Sequence, residues 1–91
     1  MTTRYQITLE VIDQPGVLAR IATQFSEHGV SVEAVQQSVH PDGGAAQAAA
    51  TATLVIGTHE ATESALAATV ASLDANESVA EVTSVLRVEG L

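Results

Sequence analysis

The chain has no cysteine, no tryptophan and no lysine, and its only basic residues are Arg4, Arg20 and Arg87. Without cysteine there can be no disulfide framework, thiolate metal site or thiol nucleophile. With one Tyr, one Phe and no Trp, it lacks the exposed aromatics on which nucleic acid bases stack. Three arginines against 11 acidic residues give a formal charge of −8 at pH 7. Such a surface repels both a phosphate backbone and an anionic membrane, so neither is an expected partner. No apolar run approaches the ~20 residues of a membrane span, and the N-terminus lacks a signal-peptide pattern. The expected location is the cytoplasm.

What is present is a short chain rich in Ala, Val, Leu and Ile, 91 residues with 46% hydrophobic content. One domain covering residues 1–91 is expected. A chain this small buries only about two-thirds of its unfolded surface. Association with a second copy is then a natural source of added stability.

After a short lead-in at Met1-Thr2-Thr3, residues 4–12 place Tyr5, Ile7, Leu9 and Val11 on one face and Gln6, Thr8 and Glu10 on the other. That alternation marks a half-buried strand. Val17, Leu18, Ile21, Ala22 and Phe25 then fall at helical spacing, predicting a helix over 15–28. Gly29 fits the left-handed position just past its end. A second strand runs from Val30, and its apolar phase shifts from Val30 and Val32 to Val35 and Val39, which predicts a bulge near Ala34. His40-Pro41-Asp42-Gly43-Gly44 is a turn signal, and residues 45–50 read as a hairpin tip. A third strand follows over 51–58. A second helix is expected over 60–75, with Glu60 and Glu63 in its first turn and Leu66, Val70 and Leu73 buried. The last strand, 79–89, carries Val82, Leu86 and Val88, with Ser84 in the same phase.

The order βαββαβ predicts an α+β, ferredoxin-like fold: a four-stranded antiparallel sheet with two helices on one face. The other face and at least one edge strand are left uncovered, and an open edge invites pairing with a second copy.

No catalytic set emerges. His28, His40 and His59 are not at metal-ligand spacings, the carboxylates are dispersed, and Ser31, Ser38 and Ser84 have no base nearby in sequence. Among chemistries known on this architecture, a metal chaperone would need thiols and an RNA-binding module strand aromatics with basic charge. An acylphosphatase would need an arginine in the first loop, whereas Arg20 lies a turn into the helix. What remains is Asp13-Gln14-Pro15-Gly16-Val17-Leu18. Proline suits the first turn of a helix and glycine lets other groups approach the backbone. The N–H groups of Gly16, Val17 and Leu18 are expected among the unpaired donors of a helix N-terminus, which suits a carboxylate. A plain strand-to-helix turn accounts for the same residues.

These features together resemble the ACT domain, a small-molecule-sensing module of amino acid metabolism. The resemblance is carried by Val11-Ile12-Asp13-Gln14-Pro15-Gly16-Val17-Leu18-Ala19, Ile21-Ala22, Phe25 and Glu27-His28-Gly29-Val30-Ser31-Val32. Within that family the chain is most similar to the C-terminal regulatory domain of homoserine dehydrogenases. The stretches concerned are Gly29 to Gln37, Val55-Ile56-Gly57-Thr58-His59-Glu60-Ala61 and Ser84-Val85-Leu86-Arg87-Val88-Glu89-Gly90.

The resemblance implies pairing of two copies through the second strand and first helix. It also implies an amino acid effector, threonine, acting by feedback inhibition and held by Asp13, Gln14, Pro15, Gly16, Val17 and Leu18 with Val30, Ser31 and Val32. Ser31 stands where many amino-acid-binding members carry Asn, and a hydroxyl offers fewer hydrogen bonds than an amide. No cofactor is expected in this domain; NAD(P) belongs to the catalytic part of the parent oxidoreductase. Two other readings are a ligand-free dimerisation module and a stand-alone regulator.

Overall fold

The structure, a computed structural model, describes residues 2–40 and 50–88. The elements in order are β1 (Thr2–Ile12), α1 (Val17–Glu27), β2 (Val32–His40), β3 (Thr51–Thr58), β4 (Ala61–Thr62), α2 (Glu63–Asp74) and β5 (Val79–Val88). The expected turn at 40–44 and hairpin tip at 45–50 lie almost wholly outside the described residues.

The long strands pair antiparallel in the order β2–β3–β1–β5, with both helices over one face. The ferredoxin-like arrangement is thus present, with the two-residue β4 as an addition. Thr2 and Thr3 are no loose lead-in: they pair with Thr62 and Ala61, and the Thr2 hydroxyl donates to Glu60 Oε1 at 3.1 Å.

The core lies between sheet and helices, because apolar residues alternate at period 2 along the strands and recur at helical spacing on α1. Ile7 and Leu9 from β1, Leu54 and Ile56 from β3, and Ile21 and Phe25 from α1 are all fully buried there. Leu66 and Leu73 anchor α2, but Thr69 rather than Val70 completes its buried stripe. Burial of this threonine is tolerated because its hydroxyl donates to Ala65 O at 2.8 Å. On α1, Leu18 and Ala22 turn outward, leaving Val17, Ile21 and Phe25 as the inner face.

Two irregularities decide which side chains face where. The β2–β3 register shifts between Val32 and Ala34, making Glu33 the extra residue of the expected bulge. The β1–β5 register shifts twice, between Thr8 and Leu9 and between Glu10 and Val11. The first shift breaks the expected phase of the last strand. Val82 opposes buried Leu9, while Ser84 and Leu86 oppose Thr8 and Gln6 on the open face. Leu86, expected in one phase with Val82, is therefore 55% exposed. A single inserted residue reverses every side chain beyond it.

α1 ends in a Schellman motif. Gly29 has φ 77°, its N–H donates to Ser26 O at 3.0 Å, and the Val30 N–H donates to Phe25 O at 2.9 Å. The same bond points the Val30 side chain into the core beside Phe25.

Candidate functional site

β1 delivers the chain to the loop at residues 13–16, which is tied down from two sides. The Ile12 N–H donates to Ser78 O and the Asp13 N–H to Ala50 O, both at 2.9 Å. The Gln14 N–H folds back onto Ile12 O at 3.0 Å, a three-residue turn. Gly16 then sits at the N-cap of α1 with φ 85° and ψ −7°, a left-handed conformation costly for any residue with a Cβ. No side chain caps this helix end, and no acidic residue stands in its first turn.

The predicted set of free donors needs one correction. The Val17 N–H is spent on Gln14 O at 3.3 Å, and Arg20 N–H closes the first helical bond on Gly16 O at 3.0 Å. The N–H groups of Gly16, Leu18 and Ala19 are the ones without a partner among the described residues. Pro15 holds the turn and stays exposed, as do Asp13 and Gln14.

A cavity of about 80 Å³ opens beside this loop, lined by Asp13, Gln14, Gly16 and Leu18 together with Gln37 of β2. Gln37 was not among the predicted site residues. Its signal in the sequence is a polar residue at the middle of the phase Val35, Gln37, Val39, which pairs with the buried residues Ile56, Leu54 and Ala52.

The second group of predicted residues lies elsewhere. Val30 is buried, Ser31 is exposed with its carbonyl accepting the His59 N–H at 2.9 Å, and Val32 opens β2. They border a cavity of about 330 Å³ with Ala22, Ser26 and Gly29. This is the far end of α1, and an 11-residue helix separates the two groups by about 16 Å. One chain does not bring them together.

Among the described residues no histidine joins a metal-binding cluster. His59 Nδ1 lies 3.2 Å from Glu33 Oε2 with its ring half exposed. Among the described residues no group of three or more His, Cys, Asp or Glu could hold a metal ion, and no helix is long and apolar enough to cross a membrane. The residues do not fit a nicotinamide dinucleotide either. The loop after β1 carries one glycine where a dinucleotide loop needs three, and its cavity is a fraction of the usual ligand volume.

The described residues thus form a two-layer α+β domain whose first strand feeds a tethered glycine loop at an open helix end. The ACT domain family model matches residues 5–78, and the chain belongs to that family. It is similar to the homoserine dehydrogenase of Mycobacterium leprae (strain TN), 41% identical over 91 residues, which is 100% of this chain and 20% of that protein. The chain therefore spans about one fifth of the length of the curated relatives it matches. Among solved structures, a homoserine dehydrogenase from Thiobacillus denitrificans superposes with a TM-score of 0.80 at 25% identity, over 98% of this chain and 18% of that one. The ACT domain from the GTP pyrophosphokinase of Chlorobium tepidum shares the fold, with a TM-score of 0.57 at 16% identity over 97% of this chain and 100% of that one.

Proposed function

We propose that residues 1–91 form an amino-acid-sensing regulatory domain of a homoserine dehydrogenase, with threonine as its feedback effector. The observation that carries this reading is the uncapped N-terminus of α1, whose Gly16 and Leu18 N–H groups are unpaired on residues that line the same cavity as Gln37. Free donors at the positive end of a helix suit the carboxylate of a small ligand. A zwitterion has no net charge, so the chain's charge of −8 does not repel it as it would an anion.

The ligand sits in half a site within one chain. Leu18, Val35 and Val39 are 40%, 40% and 47% exposed along the flank of β2, the edge strand. A second copy placed side by side through β2 and α1 covers that apolar flank and satisfies the edge. Ser31 and Val32 of the second copy then approach the loop of the first and complete the site. Val30 contributes its backbone only, since its side chain is buried.

Regulation follows by linkage. Threonine binds one dimer arrangement more tightly, and that arrangement favours a less active catalytic part, where NAD(P) is bound. A coupling of about 1–3 kcal/mol gives a 5–150-fold effect.

The test is calorimetric titration of the dimer with L-threonine, using serine, isoleucine and methionine as controls. Saturable heat for threonine is expected. No heat for any amino acid at millimolar concentration, from a chain that sediments as a dimer, would leave the exposed apolar flank as the whole function, a ligand-free dimerisation module.

A further inference from the structure

We infer a second ligand site, on the open face of the sheet and away from the loop at residues 13–16, that takes the zwitterionic head of a free α-amino acid. It stands independently of the preceding reading. The face opposite the helices is not flat. In one cross-strand row Gln6 of β1 opposes Gly57 of β3, and Gly57 opposes Ala34 of β2. Two of these three strands thus contribute no bulk. The result is a hollow of about 290 Å³ with Gly57 and Ala34 as its floor.

The walls carry the chemistry. At one end the Arg4 guanidinium and the Glu33 carboxylate reach toward each other across β3, with Nη1 3.8 Å from Oε2. Glu33 gets there because it is the extra residue of the β2 bulge, and His59 Nδ1 holds the same oxygen at 3.2 Å. At the other end lie Val55 and the amide of Gln36.

An α-amino acid carries carboxylate and ammonium on one carbon, so its two charges are spaced a few ångströms apart, as are Arg4 and Glu33. The arginine fork takes a carboxylate bidentately, and an ammonium donates to Glu33. The ion pair that must open is weak, since both side chains are about half exposed at 50% and 41%, and pairs of that kind contribute ~0–1 kcal/mol. One charge pair is thereby exchanged for two. The amino acid's side chain lies over Gly57 toward Val55, where the Gln36 amide provides both a donor and an acceptor.

The experiment is amide NMR of the full chain titrated with L-threonine and with L-valine. Isobutyrate serves as the carboxylate-only probe and isobutylamine as the ammonium-only probe. The expected result is saturable millimolar shifts at Ala34, Gln36 and Gly57 for both amino acids and for neither control. Binding there should weaken by about tenfold or more, equivalent to 1.4 kcal/mol, in Arg4→Gln and in Glu33→Gln. Gly57→Val should abolish it by filling the hollow. A Cβ at 57 itself meets Ala34 Cβ at 3.9 Å, an ordinary contact. Equal shifts with isobutyrate, or undiminished binding in the Arg4 and Glu33 variants, would overturn the site. Shifts confined to residues 13–18 would also overturn it while leaving the effector loop standing. Shifts that follow protein concentration instead of added amino acid would assign the hollow to a stacked second copy and end the proposal.

Discussion

The two helices begin in opposite ways. Thr62 precedes α2 in an extended conformation, its hydroxyl accepts the Ala65 N–H at 3.1 Å, and Glu63 stands in the first turn. Side-chain oxygen and carboxylate together satisfy the donors and the positive end of the dipole. Before α1 stands Gly16, left-handed and without any side-chain cap or nearby acid. The chain caps one helix end with its own side chains and leaves the other uncapped. An uncapped end needs its stability from elsewhere, and α1 draws it from its inner face and its Schellman stop.

That account of α1 is tested first by the variant with the largest expected effect. Phe25 is the largest fully buried side chain, lying in the last turn of α1. Phe25→Ala should cost ~3–5 kcal/mol through lost burial and the cavity left behind. Urea unfolding measures this. A loss below about 1 kcal/mol would mean that α1 is held by something other than its apolar stripe.

The next effect is smaller and bears on the open end itself. Gly16→Ala should cost ~1–2 kcal/mol, the penalty of a Cβ in the left-handed region, although nothing lies within 4 Å of the place a Cβ would occupy. Asn and Asp tolerate that conformation better than other residues. Gly16→Asn and Gly16→Asp should therefore be similarly stable, and only the Asp variant puts a negative charge at the donors of Leu18 and Ala19. Threonine heat retained in the Asn variant and lost in the Asp variant is the expected pattern. Equal affinities in the two would remove the carboxylate from this loop.

The frame of the fold could be read from the chain because the strands β1 and β3 each bury one face, and period-2 alternation records that directly. Gly29 was equally plain, since a glycine just past a helical run fits the left-handed position that ends it. The phase of β5 was not, because an inserted residue at a bulge leaves no compositional mark while it reverses the faces beyond it. The start of α2 was misplaced for another reason: Glu60 has the charge expected of a first turn but lies before the cap. The loop at residues 13–16 could be singled out by its Pro-Gly pair, whereas Gln37 on its wall depends on the register between β2 and β3. That Val30 faces the core follows from a backbone bond at the helix end, which residue types do not disclose.

The smallest of these effects returns to the closed helix end. In Thr62→Ala the Ala65 N–H loses its acceptor, and N-cap losses run ~0.5–2 kcal/mol. This bond is exposed, so water replaces the hydroxyl and the cost should fall at the lower end of that range. Thr62→Asp restores an acceptor and adds charge favourable to the dipole, and should recover wild-type stability. Threonine heat should be unchanged in both variants, because the effector loop stands at the start of α1 and not of α2. If Thr62→Ala instead created a second, saturable threonine response that Thr62→Asp lacked, any bare helix start in this fold would bind the effector. The specificity assigned to Gly16 and its loop would then reduce to the absence of a cap.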